Sequence, residues 1–284
     1  MRAKLSSVTA LVVAAVRAMP RDVEHAPVDP LAARMLPWPM GALAQRVAQW
    51  TAHDRTLVRL VPTASVGLVD HIALRTLVID DVCERATKAG LAQVVILGAG
   101  FDTRAYRLPC LHDAHVFEVD HPATFRAKQA RAKDLRAIAR AHTAVPIDFE
   151  REELGATLAR AGHDPHAPTL WIWEGVTMYL HEHAIDATLQ TIGERSAAGS
   201  QLVMSYGPPD FAPSVFHVAA RGVGEPVRCM LTPAQVEHKL RAVGFTLAED
   251  SGPAEWLARF GGGGWIVARE RVALAKREPV HDER

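Results

Sequence analysis

Residues 98–103 read Gly-Ala-Gly-Phe-Asp-Thr, and a second acid, Asp120, stands twenty positions past Gly100. Gly98 and Gly100 let a backbone turn sharply and approach a ligand without a Cβ in the way. A carboxylate at the end of the following strand, where Asp120 falls, can accept both ribose hydroxyls of a nucleoside. The spacing therefore predicts a nucleoside site. It is not a full dinucleotide fingerprint, because Thr103 holds the place of the third glycine, and no GKS or GKT follows to make a phosphate loop. Asp102, inside the turn, would crowd a pyrophosphate. A sulfonium nucleoside has no phosphate and tolerates that acid, so the pattern favours S-adenosylmethionine over NAD. Asp102 can also cap the turn that follows by accepting its free N–H groups, and it is expected to be both cap and wall.

The elements that must hold these residues alternate in type. "QVVILGAG" (93–100) is a β-branched run suited to a buried strand. "HVFEVDHP" (115–122), "HTAVPIDF" (142–149), "TLWIWEGVTMYL" (169–180), "QLVMSYG" (201–207) and "GGWIVARERV" (263–272) read as further strands. Helical patterns separate them: "RAKQARAKDLRAIARA" (126–141), "EHAIDATLQTIGERSAAGS" (182–200) and "TPAQVEHKLRAVGF" (232–245), the last with Pro233 in its first turn. Strand–helix alternation predicts an α/β fold with a doubly wound, mostly parallel sheet, and ligands of such sheets bind beyond the strands' C-terminal ends. The first four strands end there in Gly98-Ala99-Gly100, Glu118-Val119-Asp120, Asp148-Phe149 and Glu174-Gly175. Residues 1–90 read as a helical cap, 91–272 as the core and 273–284 as a polar tail, cap and core forming one compact unit. The long pattern "GLVDHIALRTLVIDDVCERATKAG" ends the cap at Gly90.

"LGAGFDTRAYRL", "EVDHP", "IDF" and "WEGVTMYL" resemble the leucine carboxyl methyltransferase family, and most closely its bacterial branch of S-adenosylmethionine-dependent, polyketide-type O-methyltransferases. The similarity runs from "SSVTALVVAAVRA" and "VDPLAARML" to "LTPAQVEHKLRAVGF". The usual methyltransferase glycine motif opens with an acid and carries a third glycine; Ile96 and Asp102 occupy those places, a departure typical of this family. The resemblance implies a class I methyltransferase-like sheet with an N-terminal helical lid. It further implies that Gly98, Ala99 and Gly100 pass under the methionine part of S-adenosylmethionine and that Asp120 holds the ribose. By the same resemblance Asp148 accepts from the adenine amine with the Phe149 backbone beside it, and Arg75 pairs with the methionine carboxylate. Glu174 falls near the transferred methyl. For Arg75 the alternative is a solvated helix face.

Methyl transfer is an in-line displacement that depends on alignment. A carboxylate acceptor is ionised at neutral pH, whereas a phenol benefits from a general base. No histidine falls by pattern at the methyl; His121 lies at the ribose end. The sequence thus leans toward a carboxylate on a small molecule, such as a secondary metabolite, with Tyr179, Tyr206 and Arg228 as candidates to orient it. A phenol, a protein C-terminal carboxylate, and a cofactor-binding protein without catalysis are the competing readings.

Thirty-two basic and thirty-two acidic side chains balance, so nothing favours nucleic acid as a partner. Cys83, Cys110 and Cys229 form no CxxC, which points to a reducing cytoplasm rather than a disulfide framework. "HDPH" (163–166) and "HEH" (181–183) read as solvated loop and capping residues, not metal ligands. Trp171 and Trp173 read as core. The basic start and short apolar run 10–16 have the outline of a secretory signal, but the run is too short to span a bilayer and no clear small-x-small cleavage site follows. It reads rather as a helix capped by Ser6 or Ser7, with Val8, Leu11, Val12 and Ala15 as its apolar side and Pro20 closing it.

Overall fold

The structure, a computed structural model, describes residues 8–19, 29–53, 67–148, 152–210, 226–261 and 268–278. The buried run Gln93–Leu97 is β1, flanked by β2 (His115–Asp120) and β4 (Thr169–Trp173). With β3 (Ala141–Pro146), β5 (Gln201–Tyr206), β6 (Thr246–Ser251) and β7 (Arg271–Lys276) it makes one sheet in the order β3-β2-β1-β4-β5-β7-β6. The first five strands pair in parallel, and β7 runs antiparallel to both of its neighbours. The direction of winding reverses between β1 and β4, which opens a crevice at their C-terminal ends.

The first helix is α1 (Val8–Arg17) and the second α2 (Met40–His53). Then come α3 (Leu68–Lys88), the single turn α4 (Arg104–Arg107), α5 (Pro122–Ala132), α6 (Leu154–Arg160), α7 (Glu182–Glu194), α8 (Pro233–Ala242) and α9 (Pro253–Phe260). Leu74, Val78 and Val82 of α3 meet Val94, Ile96 and Trp256 on one face of the sheet. Leu158, Leu189 and Leu240, from α6, α7 and α8, meet Val95, Phe117 and Trp171 on the other. Each fully buried Leu, Ile or Val of these layers contributes about 1.5–3 kcal/mol. Trp171 and Trp173 are core residues, as the alternation predicts. No described helix is long and apolar enough to cross a membrane.

Several expectations need correction. Helix α3 packs on the sheet, so it belongs to the core although it precedes residue 90. The expected helix over 126–141 starts earlier, at Pro122, and ends at Ala132. Pro122 has no N–H to satisfy at a first helical position, and the chain past Ala132 is held instead by Ile138 N and Ala139 N donating to Ala105 O. β6 and α9 went unread: "TLAEDS" is a polar edge strand, mostly exposed or half-exposed, and carries no apolar alternation. The last strand lies later than 263–272, and Ala273, Leu274 and Ala275, expected in the tail, are its buried centre. Helix α1 turns Ala14, Arg17 and Ala18 inward and leaves Val12 exposed. Its expected caps and Pro20 lie outside the described residues. His163 is no loop residue in solvent: it is buried against Phe117 and Trp171, and burial lowers its pKa to about 4.

Candidate cofactor and active site

A cavity of about 370 Å³ lies over the C-terminal ends of β1, β2 and β4 and is roofed by α1. That is a ligand-sized volume. Arg75, Gly98, Ala99, Gly100, Asp120, Glu174 and Tyr179, all read from the sequence, line it together.

The glycine turn is held by close packing as well as by conformation. Gly98 and Gly100 have φ of 65° and 52°, where a side chain strains the backbone. A Cβ on Gly98 would come within 2.5 Å of Val176 Cγ2, and one on Gly100 within 3.2 Å of Ala10 Cβ on α1. Asp102 is both cap and wall. Its Oδ1 accepts from Arg104 N at 2.7 Å while the residue borders the cavity.

Asp120, at the end of β2, accepts one backbone N–H on each carboxylate oxygen: Gly100 N at 2.5 Å and His121 N at 2.6 Å. The Thr124 side chain also hydrogen-bonds to Asp120; a carboxylate has about four lone-pair sites, so the group keeps room for a further donor. Burial pushes the Asp120 pKa up, against the pull of the hydrogen bonds from Gly100, His121 and Thr124. His121, at the same end, accepts from Ala123 N through Nδ1 and caps α5.

The other end is ionic. Glu174, just past β4, accepts from Arg17 Nη2 at 2.5 Å and Arg75 Nε at 3.0 Å on one oxygen, and from Arg104 Nη1 at 2.8 Å on the other. Burial works to raise the Glu174 pKa, but the guanidinium groups of Arg17, Arg104 and Arg75 hold it well below the usual carboxylate range. Arg75 is buried, not on a solvated face, and its Nη1 donates to Glu270 Oε2 at 2.6 Å. Arg104 also donates to Asp80 at 2.7 Å. Arg17, Arg104 and Glu270 escaped the sequence reading. Arg104 sits inside the quoted "FDTR" and could have been found there; Arg17 and Glu270 arrive from 157 and 195 residues away along the chain from their partners, with no local signal.

Asp148, Tyr206 and Arg228 do not line the cavity. Asp148 lies just past β3, half-buried, with its N–H on Glu152 Oε2 at 3.0 Å. Phe149 is outside the described residues. Tyr206 is buried in the core with its hydroxyl donating to Asp250 Oδ2 at 2.9 Å. Arg228 is exposed and donates to His181 Nε2 at 3.0 Å.

The residues present fit S-adenosylmethionine. Asp120 has acceptor capacity left for a ribose hydroxyl, the glycine turn offers bare backbone, and the far end of the cavity carries both signs of charge, as a zwitterionic amino acid requires. Strand order, crevice and site together define a class I S-adenosylmethionine-dependent methyltransferase fold. The crystal structure of a "putative methyltransferase" from Thermobifida fusca shares it with a TM-score of 0.61 at 16% identity, covering 98% of this chain and 97% of that one.

The profile of the leucine carboxyl methyltransferase family matches residues 10–193, and the chain belongs to that family. A Mycolicibacterium paratuberculosis protein named "Putative S-adenosyl-L-methionine-dependent methyltransferase" is 34% identical over 97% of this chain and 90% of its own. A Streptomyces coelicolor protein of the same description is 43% identical over 48% of each chain, so the match spans about half of that relative's length.

Proposed function

We propose that the chain transfers a methyl group from S-adenosylmethionine to a carboxylate of a small molecule, forming a methyl ester. The observation that carries the carboxylate reading is that, with Asp120 given to the ribose, no other carboxylate or imidazole described around the cavity is free to act as a base. Glu174 is ionised but held by three arginines. Asp102 is tied to Arg104, and His121 uses Nδ1 in a cap. A phenol, with a pKa near 10, would have no group to take its proton, whereas a carboxylate brings none to remove. The family's name, which refers to a carboxyl acceptor, supports the same reading. The bound sulfonium supplies an already activated methyl; the chain's own task is alignment.

In this reading Asp120 receives the ribose hydroxyls, the turn at Gly98 and Gly100 carries the methionine part, and Asp148 with the Phe149 backbone meets the adenine. Arg75 faces the methionine carboxylate, and Tyr179 borders the acceptor. Incubation with labelled cofactor and matched libraries of carboxylic acids and phenols tests it. The expected product is a methyl ester that alkali hydrolyses. Transfer only to phenols, giving alkali-stable ethers, overturns the carboxylate assignment, and binding of NAD in preference to S-adenosylhomocysteine overturns the cofactor.

A further inference from the structure

Glu270 is a buried charge that does not border the cavity but is bonded to Arg75, which does. It is 1% exposed, just ahead of β7. Removing an ion from water costs several kcal/mol unless it is well paired. Its Oε2 accepts from Arg75 Nη1 at 2.6 Å and contacts His71 Nε2 at 2.8 Å, one helical turn earlier on α3. Burial works to raise its pKa, but Arg75, with hydrogen bonds from His71 and Ser205, holds it down at about 2. Ser205 accepts from Gly175 N at 2.8 Å. Glu270 is therefore joined to Arg75 directly and to the Gly175 backbone through one hydroxyl.

That pairing decides which face of Arg75 remains. Glu174 takes Nε at 3.0 Å and Glu270 takes Nη1 at 2.6 Å. The guanidinium lies flat against Gly175, where a Cβ would sit 3.4 Å from Nη2. With two carboxylates from different strands on two of its nitrogens, the planar fork can turn neither about its axis nor away from the crevice.

We infer that Glu270 is a positioning residue for cofactor binding: by fixing Nη1 of Arg75 it presents Nη2 to the carboxylate of the bound amino-acid moiety. The inference rests on the proposed role of Arg75. It also separates ligands by chemistry. S-adenosylhomocysteine carries the amino-acid carboxylate, and 5′-methylthioadenosine is the same nucleoside thioether without it.

Calorimetric titration of Glu270→Gln with both ligands is the test. Loss of a well-oriented bond to a charged group should weaken S-adenosylhomocysteine about 10-fold, with the affinity for 5′-methylthioadenosine unchanged. Equal weakening of both ligands would mean that Glu270 only supports the fold, and an unchanged affinity for both would remove it from the site. Ser205→Ala keeps the charge and loosens the link to Gly175, so it should show the same ligand selectivity at smaller size, and it serves if Glu270→Gln does not fold. Arg75→Lys distinguishes the two layers of argument. If it leaves S-adenosylhomocysteine binding intact, the role of Arg75 itself fails. If it weakens binding while Glu270→Gln and Ser205→Ala do not, only the inference about Glu270 fails.

Discussion

Glu174 and Asp120 close parallel strands of the same sheet and face the same cavity, yet their surroundings are opposite. Three guanidinium groups occupy Glu174, whose pKa lies well below the carboxylate range despite burial. Asp120 has two backbone N–H groups and the neutral Thr124 side chain on its oxygens but no guanidinium, and burial leaves its pKa raised. The fold has satisfied the first carboxylate before any ligand arrives, while the second keeps acceptor capacity. Stability should therefore concentrate at the β4 end of the cavity and ligand recognition at the β2 end.

The largest expected effect is on the saturated end. Glu174→Ala leaves Arg17, Arg75 and Arg104 without their common carboxylate. Removing one partner of a buried ionic cluster costs about 3–5 kcal/mol, to be read from the denaturant midpoint at constant m-value. Because Arg17 lies on α1, protease cleavage within α1 should also accelerate. A variant as stable as the parent would show that the guanidinium groups find other partners, and the contrast between the two carboxylates would lose its basis.

Asp120→Asn should weigh the other way: it leaves one backbone N–H facing an amide nitrogen and so costs the fold less than Glu174→Ala, while weakening S-adenosylhomocysteine by about 1–3 kcal/mol through lost hydrogen bonds to a charged acceptor. The pH dependence sharpens the distinction. Asp120 accepts hydroxyls best when ionised, so affinity in the parent should fall as pH drops through its raised pKa, and calorimetry on Asp120→Asn should give a flatter profile. For stability the linkage runs differently at the two ends. Asp120, raised by burial, contributes stability below the ordinary carboxylate pKa and loses it as pH rises through the raised value. Glu270, lowered from 4.5 to about 2, contributes above the ordinary value and loses it as pH falls toward 2, in company with Glu174. Acid unfolding should therefore be governed by the β4 end. If Asp120→Asn shifted the acid midpoint more than Glu270→Gln did, that ordering would be wrong.

This division also explains what the sequence made legible. The place of Asp120 at the cavity was readable because it follows from strand length and a glycine turn twenty residues before it, both local. So were β1 to β5, whose apolar runs are bounded by glycine, proline or charge. The ionic end depends on long-range placement. Nothing near Arg17 in "LVVAAVRA" says that a basic residue in an apolar helix will reach Glu174, and nothing in "VARERV" says that Glu270 will meet Arg75. β6 escaped because an edge strand needs no apolar face, and helix 126–141 was read too long because its end is set by bonds to Ala105 rather than by a breaker. Tyr206 shows the opposite error: its position at a strand end suggested the cavity, but its ring packs in the core and its hydroxyl meets Asp250.

The smallest expected effect tests that last residue. Tyr206 closes β5 as Glu174 nearly closes β4, and if strand ends alone defined the site its hydroxyl would meet the acceptor. Instead it donates to Asp250 Oδ2 at 2.9 Å, and Arg271 Nε reaches the same oxygen at 3.0 Å, which ties β5 to β6 and β7. Tyr206→Phe keeps the ring in the core and removes one hydrogen bond to a charged group, while Asp250 retains Arg271. The expected loss is about 1 kcal/mol of stability, with no change in S-adenosylhomocysteine affinity and none in the KM for the acceptor. A raised KM at unchanged stability would place the hydroxyl at the substrate and extend the recognition end of the cavity to β5. A loss of stability alone would assign β5 to the structural side of the comparison, leaving Tyr179 as the tyrosine that borders the ligand.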